Sequence, residues 1–145
     1  MTFDKAVTVT GTPQLTLETG STDAVVDYAS GTGTTALIFN YTIASGQNSD
    51  DLDYVATTSL ALNGGTITET GGTSAATLTL PAPGATNSLG ANKALVIETT
   101  VPTMTITATD GTSAGDDGSS SNAILTVTFT TSEATTDFTE ADITV

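Results

Sequence analysis

The sequence predicts an all-β protein built as an antiparallel β-sandwich. Apolar residues recur with a period of two, and no segment sustains a helical period. Turn signals such as "ETGST", "SGTGT", "NGG" and "PAPGATNS" interrupt the runs every 8–15 residues or so, a spacing typical of short-stranded sandwiches. About a quarter of the residues are threonine, against several per cent in ordinary domains. Threonine is β-branched and suits pleated strands better than helices.

Each element follows from its own pattern. "AVTVTG" places Val7 and Val9 on one face, and "QLTLE" does the same with Leu15 and Leu17. In "DAVVDYAS", Val26 and Tyr28 share a face. "ALIFNYTIA" alternates most cleanly and predicts a central strand over 36–44, with Leu37, Phe39, Tyr41 and Ile43 buried. "SLALN" offers Leu60 and Leu62. Asn63, Gly64 and Gly65 tolerate positive φ and predict a hairpin turn leading to Ile67. "ATLTLP" carries Leu78 and Leu80 and stops at Pro81; "KALVIE" carries Leu95 and Ile97, or Val96 on the opposite face. Residues 99–103 read as an interdomain linker, because bulky apolar pairs are missing and Pro102 holds Val101 extended. Beyond it, "TMTITATD" aligns Met104, Ile106 and Ala108, and "AILTVTFTT" aligns Leu125, Val127 and Phe129.

Composition removes several function classes. The 145 residues suffice for one ordinary domain, or one domain and part of another. The formal charge is -14, from 16 acids against Lys5 and Lys93. That balance argues against nucleic acid and anionic membrane surfaces, and favours divalent cations. Without Cys there is neither disulfide nor thiol chemistry, and without His there is no Ser–His nucleophile. No Arg is present to clamp a phosphate or carboxylate. A glycosidase carboxylate pair needs an aromatic-lined cleft, and the chain has three Tyr, four Phe and no Trp. The reading is therefore not an enzyme. No apolar run reaches the length of a membrane span, and no basic segment followed by an apolar run marks a signal peptide.

The stretches "TFDKAVTVTGTPQLTLETGST", "SGQNSDDLDYVATTSLALNGGTI" and "TLTLPAPGATNSLGANKALVIETTVPT" cover nearly all of residues 2–103. They resemble tandem bacterial Ig-like repeats of very large secreted adhesins and surface proteins. "TFTTSEATTDFTEADITV" is similar to the same repeats. The resemblance implies an Ig-like sandwich, an extracellular or cell-surface location, and a structural role in a surface fibre or adhesin stalk. In that family, strands precede the element matching "TFDKAV". Residues 1–98 are then a sandwich lacking its opening strands, and residues 104–145 carry the opening strands of a following repeat. Met104, Ile106, Leu125, Val127 and Phe129 become candidate assembly positions, completing a sandwich in the same chain or in a neighbour. The implied partners are copies of this chain or adjacent repeats. The alternative is a calcium-dependent module that binds a surface or sugar ligand.

The acids are clustered. Asp50, Asp51 and Asp53 in "NSDDLDY" offer hard oxygen ligands for Ca²⁺, although the spacing is not that of an EF-hand. The same turn also suits a solvated loop, or a tyrosine corner in which the Tyr54 hydroxyl bonds upstream backbone. Asp110, Asp116 and Asp117 lie in "DGTSAGDDG", either as a solvated loop or as a calcium site near a junction with Glu98. Glu140 and Asp142 could contribute in the same way. The threonine ladders read as ordinary outward-facing strand residues, with an ice-binding array as the alternative.

Overall fold

Alternating, threonine-rich runs fold as strands in the computed structural model, which describes residues 1–109, 124–134 and 139–142. The chain divides into two compact units, Met1–Thr100 and Val101–Val145. Its architecture is all-β, antiparallel and sandwich-like. Among the described residues the only helical segments are one turn, Leu89–Asn92 (α1), and the 3-10 turn Glu140–Asp142. None is long and apolar enough to cross a membrane.

The first unit holds seven strands: β1 Thr2–Thr10, β2 Gln14–Leu17, β3 Ala24–Ser30, β4 Thr34–Ala36, β5 Ile38–Phe39, β6 Leu60–Ala61 and β7 Thr66–Glu69. One sheet has the order β4-β1-β7 and the other β5-β3-β2-β6. The inward residues of the two sheets form two apolar clusters. One gathers Leu17, Ala24, Val26, Leu52, Tyr54 and Ile97. The other gathers Val7, Leu37, Leu60 and Ile67. Phe39 and Leu80 pack against both and join them into one core. Phe39 also meets Tyr28 edge to face, with ring centroids 6.1 Å apart, a favoured aromatic geometry.

The predicted central strand over 36–44 is corrected. Thr34–Ala36 pairs with β1 in one sheet, whereas Ile38–Phe39 pairs with β3 in the other. The chain changes sheet at Leu37, whose side chain is buried between the two. Phe39 and Tyr41 are half-buried, and Ile43 is 52% exposed. The crossing begins at Gly31, with φ of +113°, where the backbone lies against the Ala36 carbonyl so closely that no Cβ fits. The Asn63-Gly64 turn forms as predicted, with φ of 48° and 78° and the Gly65 N–H donating to the Leu62 carbonyl (2.8 Å). It is not a hairpin within one sheet, however. It carries the chain from β6 in one sheet to β7 in the other. Thr99, expected in the linker, is fixed to the first unit: its N–H donates to Asn48 Oδ1 (2.7 Å) and its hydroxyl to the Gln47 carbonyl (3.1 Å).

In the second unit, Met104–Thr109 (β8) and Thr126–Thr131 (β9) pair with each other in continuous antiparallel register. Ile106 stands opposite Phe129, Ala108 opposite Val127, and Met104 opposite Thr131. These residues share one face, and the other face is entirely threonine. Met104 is 43% exposed, Ile106 62%, Leu125 56% and Val127 46%, and Phe129 is half-buried. A two-stranded sheet has no second layer of its own to cover such a face.

Leu37→Ala should lower stability by about 3 kcal/mol, because it empties space between two sheets. Ile43→Ala should cost under about 0.5 kcal/mol, as an exposed position does. Urea unfolding of the two variants measures the difference; equal losses would restore a single buried strand across 36–44.

Candidate functional site

The acidic turn after Ser49 is held in place from both sides. Ser49 and Ile97 exchange backbone hydrogen bonds (2.8 Å each way), and the Leu52 N–H donates to the Leu95 carbonyl (2.8 Å). Tyr54 bridges to Leu17 at the end of β2. These ties turn Leu52 and Tyr54 into the core and leave Asp50 and Asp51 exposed. Asp53 lies between the two buried apolar residues and is itself buried.

A buried carboxylate must be fully hydrogen-bonded or it is costly. Asp53 meets that demand with backbone donors. Oδ1 accepts from the N–H groups of Tyr54 (2.9 Å) and Leu89 (3.2 Å), and Oδ2 from that of Gly84 (3.0 Å). The Ser88 hydroxyl and the Gly90 N–H add to this set. Ser88 is wholly buried, and its side chain also caps α1 by accepting from the Ala91 N–H (3.1 Å). Gly90 lets this backbone come close to the acidic turn. A Cβ at that position would stand 3.2 Å from carboxylate oxygens of both Asp51 and Asp53. Burial alone would push the Asp53 carboxyl up, but the donors from Gly84, Tyr54, Ser88 and Gly90 outweigh it and hold the group below its ordinary value of 3.8. Burial, followed by the charge of Asp53, pushes the Tyr54 hydroxyl up.

The Tyr54 hydroxyl donates to the Pro81 carbonyl (2.7 Å). The predicted corner had this hydroxyl bonding upstream; its partner instead lies 27 residues downstream. Asp53 and Tyr54 together therefore fasten residues 81–90 against the core.

Of the metal candidates, Asp51 and Asp53 both bring a carboxylate oxygen close to Gly90. Among the described residues, no group of three acids is placed to share a cation, and the oxygens of Asp53 are taken by N–H donors. Asp110, Asp116 and Asp117 lie outside the described residues. Glu98 accepts from the Thr100 N–H (2.6 Å), which holds its carboxyl below the usual range. Asp142 is lowered in the same way by the N–H and hydroxyl of Thr139 (2.8 and 3.0 Å).

Above this turn, a groove of about 620 Å³ without charged side chains opens in the first unit. Phe3, Leu15, Tyr54, Leu60, Leu80 and Leu89 line it, together with threonine, asparagine and serine side chains, and no Asp, Glu or Lys. Its volume lies within the range of sites that take small ligands or short peptide segments.

Comparison of the chain with protein-family models, with curated proteins and with solved structures gives no match.

Sequence reasoning missed the donors to Asp53, because Gly84, Ser88 and Leu89 are more than 30 residues away in the chain. One local signal was available. Ser88 directly precedes a short non-β stretch, which is the mark of a helix N-cap.

Asp53→Asn should cost about 3 kcal/mol, because an amide has only one acceptor oxygen to offer these donors. Since the folded pKa is depressed, the contribution of Asp53 is complete well above 3.8 and is lost as pH falls through the lower folded value. Melting temperatures of wild type and Asp53→Asn should therefore differ by a constant amount from about pH 5 to 8 and draw together only as pH falls through the lowered folded value. An acid transition that the substitution leaves unaltered would assign the loss to other carboxylates.

Proposed function

We propose that this chain is a structural, non-catalytic building block of an extracellular surface fibre or adhesin stalk, assembling end to end by β-strand complementation. The observation that carries the reading is the β8–β9 sheet. It places Met104, Ile106 and Val127 together on one exposed face, with only threonine on the other. A lone two-stranded sheet is marginal in water unless its apolar face is covered. Covering Met104, Ile106 and Val127 would contribute about 1.5–3 kcal/mol for each side chain fully removed from water. The lack of His, Cys and Arg supports a mechanical rather than a chemical role. The formal charge of -14 keeps such a protein soluble while making association sensitive to salt.

A second reading draws on the larger groove of the first unit, which suits a module that binds a surface or glycan ligand. The two readings differ in assembly. A building block associates by itself, whereas a binding module stays monomeric and retains a glycan.

Sedimentation velocity and negative-stain microscopy of the full chain should show elongated oligomers that lengthen with protein concentration. They should also become more abundant from low salt to about 0.15 M, where repulsion between acidic copies is screened. Ile106→Asp combined with Val127→Asp should abolish these species without shifting the unfolding of the first unit. A wild-type protein that sediments as a monomer at every concentration and salt would overturn the proposal.

A further inference from the structure

We infer that residues 76–80 form the receiving edge for strand β8 of a second copy of this chain, with Met104 and Ile106 of the incoming strand seated in the larger groove. The inference rests on the assembly reading above and identifies its receiving surface.

Residues 76–80 behave as a strand without a partner. Ala76, Leu78 and Leu80 are half-buried, while Thr77 and Thr79 are exposed, which is the period-two pattern of a strand. The stretch is pinned at both ends. The Ala76 N–H donates to the Ile67 carbonyl (2.9 Å) and the Leu80 N–H to the Thr57 carbonyl (2.8 Å). Between the pins, Thr77, Leu78 and Thr79 make no backbone hydrogen bond among the described residues and belong to no sheet. An extended, anchored backbone with free N–H and C=O groups is a template for another strand.

Space for that strand is present. The 620 Å³ groove and a second groove of about 490 Å³ both border Thr2, Phe3, Thr77 and Thr79. The gap therefore runs between the start of β1 and the open stretch. Two copies that each carry -14 repel one another, which favours contact where acids are few. The larger groove has no charged side chain, although the Met1 ammonium borders it, and β8, "MTITAT", has none either; Asp4, Lys5 and Glu69 border only the smaller groove. Of the two strands in the second unit, β8 is the better donor, because Met104 and Ile106 are both exposed whereas Phe129 of β9 is already half-buried. Strand addition would give main-chain bonds to 77–79, with Met104 and Ile106 alternating into the groove. Donor and acceptor are different surfaces, so the contact is head-to-tail: it gives a filament where the rotation between copies does not close, and a ring or reciprocal dimer where it does.

The chain contains no cysteine, so single-cysteine variants report the contact directly. Thr79→Cys and Ile106→Cys, mixed and oxidised, should give a disulfide-linked heterodimer in excess of either homodimer. Thr79 is exposed, so Thr79→Glu should fold normally by circular dichroism. It should weaken self-association about tenfold or more, since it places a bare charge in the contact. Thr79→Ser should leave association unchanged, and Ser45→Glu, outside both grooves, controls for the added charge. If association persists unchanged in Thr79→Glu and no heterodimer forms, the receiving edge lies elsewhere and this inference fails while the assembly reading stands. If the wild type does not associate at all, both fail.

Discussion

The first unit depends on one buried carboxylate. Residues 81–93 contribute no strand to either sheet, so their backbone donors find no ladder partners. Buried N–H groups without partners cannot be tolerated. Asp53 collects donors from Gly84, Leu89 and Gly90, and its neighbour Tyr54 takes the Pro81 carbonyl. An irregular segment is thereby fastened to the core by two adjacent side chains, and Leu80 and Leu89 are held against the apolar cluster. Ionisation of Asp53 is part of the fold, because a proton on either oxygen would place a donor among the donors that surround it.

Charge shapes the rest by its scarcity of positive partners. Among the described residues one ion pair forms, Lys5 with Glu69 across β1 and β7 (2.8 Å), and its hydrogen bond raises the Lys5 pKa. Outer faces are kept wet by threonine instead. Thr8 pairs with Thr70, and Thr10 with Thr66, through their hydroxyls. Hydroxyl pairs of this kind satisfy one another without adding to a net charge that already opposes compaction.

Period-two alternation made much of the fold legible, because it reports which face a residue occupies. Leu15 with Leu17, Val26 with Tyr28, and Leu60 with Leu62 all face inward as their patterns require. Alternation does not report which sheet a strand joins. Residues 36–44 keep a clean pattern while their backbone changes partners at Leu37. Nor does it tell whether a second layer exists, so Met104, Ile106 and Val127 share the predicted face yet stand exposed. At the candidate site, three nearby aspartates read as one group. Only the tertiary arrangement separates Asp53, turned inward among backbone donors, from Asp50 and Asp51, turned outward.

The chain changes sheet between β1 and β2, β3 and β4, β4 and β5, and β6 and β7. Two of these passages are tied together where the Asn63 side-chain amide donates to the Thr12 carbonyl (3.2 Å). The layers are thus sewn to each other by their own thread. Neither can be peeled off while the other keeps its pairing, because each passage commits residues to both. Partly opened states in which one layer leaves and the other stays intact are thereby disfavoured.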